Sequence, residues 1–272
     1  MDIIIDAELA IPPKDCLRLA NHHDIHINLL IALSYHADQI PLADLLRQCH
    51  ALPGEWLLVS PIHWQVTHND AMIVACEQQL QLSEREARLW FDVFAAYVAH
   101  EHMTVVFHHP YLWLLRVTDK PKITAKPVYH LIGASLSREI ECIDRSHYWQ
   151  RLMTEVQMLF SAHPLNTARQ PYPINGVWLW GNGELSLSTR TIITDKNLIN
   201  LARLVSHKVQ FYHDDNKFSC DDILLLQSVT SDQLKGLRTS LHKQNVCWYW
   251  NNIAYSCKRL GWFSRLWRAL CK

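Results

Sequence analysis

Residues 174–185 read Ile174-Asn175-Gly176-Val177-Trp178-Leu179-Trp180-Gly181-Asn182-Gly183-Glu184-Leu185, placing three of the chain's seven glycines within eight positions. At the usual share of about 7% a chain of this length would carry about nineteen glycines, so the residue is avoided elsewhere and concentrated here. Val177–Trp180 reads as a short buried strand, and Gly181-Asn182-Gly183 as the sharp turn at its carboxyl end. Ligands of open α/β sheets sit beyond the carboxyl ends of the strands, so this turn is the first place to look for a pocket.

Working outward, Ile3–Ile5 suits a short opening strand closed off by Pro12-Pro13. Leu29–Tyr35 and Leu42–Gln48 repeat apolar residues at three and four positions and predict helices, the second started by Pro41. Trp56–Val59, Ile62–Thr67 and Met72–Ala75 read as strands, with His68-Asn69-Asp70 as a hairpin turn. Ser83 stands three residues before Glu86, a capping-box spacing, ahead of a stripe through Leu89, Trp90, Val93, Phe94 and Tyr97. Met103–Phe107 and Tyr111–Val117 predict strands, and a loop rich in Lys and Pro follows at 119–127. Trp149, Leu152, Met153, Val156, Leu159 and Phe160 keep the helical period over Tyr148–Phe160. Beyond the glycine turn, Thr191–Thr194 reads as a strand and Asp195 as the N-cap of a helix carrying Leu198, Leu201, Ala202 and Val205. Further helices are expected near Asp221–Gln227 and over Ser231–His242. The whole predicts one α/β domain over 1–272, a mixed sheet flanked by helices, with seams near 55 and 170 that would bound an inserted subdomain over 55–170.

Composition narrows the function classes. The chain has 272 residues, 49% of them apolar and 19% charged, enough for a substantial core. Its 26 acidic and 26 basic residues cancel, so the basic excess of a nucleic-acid binder is missing and no nucleic-acid partner is expected. Eight cysteines lie scattered without a close pair and read as buried thiols in a reducing compartment. No basic leader opens the chain and no apolar run approaches the ~20 residues of a membrane span, which predicts a cytoplasmic protein.

Histidine groups at His22-His23-Asp24-His26, at His100 with His102 and at His108-His109 lack the His-Glu-x-x-His form of a zinc site; His22 and His26 have its separation but no general base between them, and no metal or cofactor is expected. Serine-nucleophile signatures are absent, and Gly181-Asn182-Gly183 is too short for a phosphate loop of the Walker or Rossmann kind. Catalytic residues stay unassigned. Glu155, Gln157, Asn166, Arg169 and Asn175 form the polar set expected around Trp178, Trp180, Gly181 and Gly183. An Arg with a carboxylate and amides holds a backbone turn or binds a small anionic ligand with the same charge-assisted bonds, and both readings stand. Leu260, Trp262, Phe263, Leu266, Trp267 and Leu270 give residues 257–272 an apolar helical face opposite Lys258, Arg259, Arg265, Arg268 and Lys272. Such a helix docks on its own domain, enters a partner's groove or rests on an anionic membrane through Trp262, Trp267, Arg265 and Arg268.

The string Trp149-Gln150-Arg151-Leu152-Met153-Thr154-Glu155-Val156-Gln157-Met158-Leu159-Phe160, with Asn166, Arg169 and 174–183, resembles the bacterial regulatory protein RpfE family over about residues 55–210. That family is similar to cofactor-independent phosphoglycerate mutases, and the resemblance implies an alkaline-phosphatase-like α/β architecture in degenerate form. Here Asp6-Ala7 stands in place of Asp-Gly, no matching Ser follows, and the carboxyl third lacks Asp-x-x-x-His. Gly-Asn-Gly and Thr154-Glu155 replace the family's Gly-Gly-Gly and Asn-Glu. The implied function is a cytoplasmic, non-catalytic regulatory or binding protein with a protein partner or small anionic ligand. The alternatives are a metal-dependent mutase or phosphohydrolase, which requires Asp6 to converge with some of His213, Asp214 and Asp215, and a protein docked through its carboxyl-terminal helix.

Overall fold

The computed structural model describes residues 1–272 except 14, 15, 20–23, 68, 69, 168, 214 and 258–272. The amphipathic segment 257–272 thus lies outside the described residues after Cys257, as do His22, His23 and two residues of the expected hairpin turn. In chain order, β1 (Asp2–Ile5), β2 (Leu17–Arg18), α1 (Ile25–Ala32) and α2 (Leu42–Cys49) lead to β3 (Trp56–Val66) and β4 (Ala71–Cys76). Then come α3 (Glu84–Ala99), β5 (Val105–His109), β6 (Leu112–Arg116), α4 (Ser137–Cys142), α5 (Tyr148–Ser161) and β7 (Gly176–Trp180). The last third holds β8 (Ser188–Thr194), α6 (Ile199–Val205), β9 (Ser206–Phe211), β10 (Ile223–Leu226), α7 (Ser231–Ser240), β11 (Val246–Trp250) and β12 (Ala254–Cys257). The architecture is mixed α/β, with helices beside two sheets.

The chain forms two compact units, one from 1–35 with 186–272 and the other from 36–185. The seams expected near 55 and 170 both fall inside the second unit. The reason is pairing: Trp56 opens β3, the segment after 170 leads into β7, and β3 and β7 lie side by side in one sheet.

In the first unit the strand order is β2-β12-β11-β1-β10-β8-β9. β11, β1, β10, β8 and β9 are parallel neighbours, while β12 and β2 extend the edge antiparallel. One face carries Ile3, Ile5, Ile193, Leu224, Leu226, Trp248 and Trp250, packed on Leu237 of α7 and on Leu241 just after it. Alternation sends Ile4, Ile192 and Leu225 to the other face, and α1 lies against β1 while α6 lies against β8 and β9. A helix was expected near Asp221–Gln227, and the structure instead has β10. Its four apolar residues are all buried in a central parallel strand, a setting that removes the alternation by which a strand is recognised. α1 starts earlier than expected because Asp24 caps it, accepting from the amides of His26 and Ile27. Asp195 caps no helix directly: its carboxylate takes the Asn197, Leu198 and Gln227 amides and ties the end of β8 to the end of β10.

Cys16 and Cys257 form a disulfide, with Cα atoms 4.8 Å apart, where free thiols were expected. Their separation of 241 residues gives no spacing signal. Cys49, Cys142 and Cys220 are exposed, so the picture of uniformly buried thiols is also corrected. Among the described residues no helix is long and apolar enough to cross a membrane.

In the second unit the 11-residue β3 pairs antiparallel with β4, β6 and β7, and β5 completes the sheet beside β6. The two strands expected on either side of Pro61 are one. Pairing with β6 ends at Val59 and pairing with β4 starts at Ile62, so the missing N–H of Pro61 interrupts neither ladder. Ser83 caps α3 as expected, and Trp90 of α3 meets Phe160 of α5 at a ring separation of 4.8 Å. β7, the strand of the Trp-Leu-Trp-Gly segment, is antiparallel to β3, so its end is not the carboxyl edge of a parallel sheet. The crevice rule that pointed to Gly181 does not apply there.

Candidate functional site

Two buried indoles set the glycine turn. Trp178 donates Nε1–H to the Lys126 carbonyl at 2.9 Å and Trp180 to the Ser60 hydroxyl at 2.9 Å. Gly181 then turns with φ +80°, and a Cβ there would stand 2.7 Å from Leu58 Cδ1. Its carbonyl accepts from the Ala43 amide at the start of α2, satisfying one donor of that helix end. The turn is built for close packing, and it leaves the following residues at the surface.

Asn182, Gly183 and Glu184 line a cleft of about 550 Å³ together with the inner turn of α2, residues 54–57, and the 120–123 part of the Lys- and Pro-rich loop. Asp44 is fully engaged, taking Arg47 Nε at 2.5 Å, Gln48 Nε2 at 3.3 Å and the Leu185 amide at 2.8 Å. Lys120 donates to the Glu101 carbonyl at 3.1 Å and lies over the Tyr148 ring. Lys122, Glu55, Glu184 and the Asn182 carboxamide have no side-chain partner among the described residues, and the amides of Asn182, Gly183 and Glu184 find no acceptor there.

The loop wall is held from α5. Asp144, buried, accepts from the Trp149 amide at 2.8 Å, the Tyr148 amide at 3.2 Å and the Ser146 hydroxyl at 2.8 Å. The Trp149 indole in turn donates to the Pro121 carbonyl at 2.8 Å, at the cleft. Burial acts to raise the Asp144 carboxyl, but the bonds it accepts outweigh burial and hold it below the usual carboxylate range. A carboxyl depressed in the folded state stabilises fully above the unfolded value of about 3.9, and that contribution is lost as pH falls through the folded value. Thermal melts from pH 7 to pH 3 are therefore expected to show a steeper acid loss in the wild type than in Asp144→Asn. Parallel profiles would contradict this.

The residues expected around the turn lie elsewhere. Asn166 donates to the Phe160 and Ile174 carbonyls and accepts from the Ile174 amide, stapling 160–174. Arg169 donates to the Tyr172 and Leu80 carbonyls and pairs with Glu86. Asn175 continues the β-ladder with its side chain, accepting from the Trp64 amide at 2.9 Å and donating to the Trp64 carbonyl at 2.8 Å. Glu155 accepts from the Tyr97 hydroxyl and pairs with Arg151 at 3.6 Å on the exposed side of α5. Gln157 is half-buried on the same helix. None of these lines the cleft, and of the expected set Gly183 alone does. Lys122 and Asn182 carried a signal only as a Lys-Pro loop and a glycine turn, 60 positions apart in the chain.

In the first unit Asp6 follows β1, accepting from Asn251 at 2.9 Å, whereas His213 and Asp215 follow β9. β10 and β8 separate those strands, three spacings or roughly 14 Å. Asp6 and the residues His213 and Asp215 thus leave the sheet from strands that far apart, and Asp214 lies outside the described residues. Among the described residues no three His, Cys, Asp or Glu side chains are grouped to hold a metal. His50 and His108 meet at 3.0 Å as a pair.

No family model and no curated protein matches the chain. Among solved structures it is similar to a Cofactor-Independent Phosphoglycerate Mutase from Thermoplasma acidophilum DSM 1728, at 13% identity over 94% of this chain and 89% of that one, with a TM-score of 0.39. So distant a likeness carries no argument about activity or residues, and the RpfE resemblance gains no support from these comparisons.

Proposed function

We propose that this chain is a regulatory binding protein whose second unit takes a small anionic ligand in the cleft beside Gly181–Glu184. The observation that supports this reading is a run of three amides without acceptors among the described residues, at a turn fixed by buried tryptophans, in residues that line the same cleft as Lys122. Successive free amides and a nearby cation form an anion-binding concavity whose donors are positioned before the ligand arrives. The volume falls in the range of small-molecule sites, about 300–1,000 Å³. The ligand-facing groups are then Lys122, Asn182, Gly183 and Glu184, while Asn166, Arg169 and Asn175 serve as scaffold.

Inorganic phosphate is a suitable first probe. Saturable binding followed by calorimetry is expected, with Lys122→Ala weakening it about fivefold, the upper end for an exposed ion pair. Equal binding by Lys122→Ala and wild type would count against the cleft.

A further inference from the structure

We infer that the ligand of this cleft is a zwitterion, a small molecule with an acidic group at one end and an amine at the other; the inference rests on the cleft being a ligand site. Charge balance within the cleft carries it. Asp44 and Arg47 neutralise each other at 2.5 Å, and Lys120 is occupied by the Glu101 carbonyl and the Tyr148 ring. What remains is one free ammonium, Lys122, against two free carboxylates, Glu55 and Glu184.

The acid-seeking groups are Lys122 and the amides of 182–184. The two carboxylates have no cation to answer them, and a ligand that is only an anion would add a third negative charge beside them. Like charges brought together in a partly enclosed space are costly, so a simple anion uses the amides and is opposed by the glutamates. A ligand amine removes that opposition and gives the glutamates a partner. Trp56 and Ile123, 8% and 4% exposed, also line the cleft and give it an apolar wall suited to a short hydrocarbon spacer rather than to a further charge.

Three probes of equal chain length separate the cases: 6-aminohexanoate carries both charges, hexanoate only the acid, and hexylamine only the amine. Titrations of the full chain are read by calorimetry and by the Trp56 indole resonance. 6-Aminohexanoate is expected to bind about fivefold more tightly than hexanoate, with the ratio falling toward one in the Glu55→Gln, Glu184→Gln double variant. Both glutamates are exposed, so the variants are expected to keep the wild-type circular dichroism and melt. If hexanoate binds as well as 6-aminohexanoate, and the double variant tightens both, the zwitterion inference is overturned while the anion cleft stands. Tightest binding by hexylamine overturns both readings. Failure of all three probes, together with failure of phosphate, also overturns both.

Discussion

Reduction of the Cys16–Cys257 disulfide lowers the midpoint of thermal unfolding by about 5–10 °C, as expected for the loss of about 2–4 kcal/mol from a chain of this size. The bridge joins residues 241 positions apart, so cutting it releases nearly the whole unfolded chain from a closed loop. In the folded state it clasps β2 to the sheet edge. Among the described residues two residue pairs join β2 to β12, and Leu17 is 61% exposed, so hydrophobic burial adds little there. The melt of Cys16→Ser should match that of the reduced wild type and no longer respond to dithiothreitol. Alkylation before reduction should leave Cys16 and Cys257 unmodified. Superimposable melts with and without reductant, or ready alkylation of both residues, would contradict the clasp.

Gly181→Ala is the second large effect, a loss of about 2–5 kcal/mol from strain at a left-handed φ combined with overpacking. The added Cβ would stand 2.7 Å from Leu58 Cδ1 and 3.3 Å from the Ala43 amide nitrogen, and Leu58 is fully buried. Relief requires moving β7 away from β3 or pulling the turn off the start of α2, and either opens the cleft wall at Asn182. Gly236 supplies the control. It lies within α7, and a Cβ there meets nothing within 4 Å. Gly236→Ala should therefore stabilise by about 0.5–1 kcal/mol through helix preference. Urea denaturation of both variants reads the difference, and equal midpoints would show that the turn is looser than its contacts imply.

The legible parts of the fold were those in which local chemistry and burial agree. Ser83 with the stripe through Trp90 and Phe94 marked α3, and Trp149 through Phe160 marked α5, because each has one buried face and a polar one. Val177–Trp180 was legible as a buried strand, but its direction was not: antiparallel pairing with β3 depends on residues more than 100 positions away. β10 is not legible for the converse reason, since Ile223–Leu226 is buried throughout and has no period. At the candidate site the glycine turn is visible in the sequence, while the residues around it come from segments distant in the chain. Asn166, Arg169 and Asn175 are close in the chain and do hold backbone, but as staples of the 160–175 segment, of the Leu80–Glu86 stretch and of β3. Glu55 reaches the cleft beside the end of β6, where the Val117 amide donates to its carbonyl at 2.9 Å, and Lys122 lies in the loop that follows.

The central claim is that the amides after Gly181 are ligand donors and not merely a turn at the surface. Their ¹⁵N–¹H resonances during a titration with inorganic phosphate test it directly. Saturable downfield shifts concentrated at Asn182, Gly183 and Glu184, diminished in Lys122→Ala, are the predicted result. Shifts that stay within the small uniform drift of added salt, or that saturate elsewhere in the chain, would contradict it.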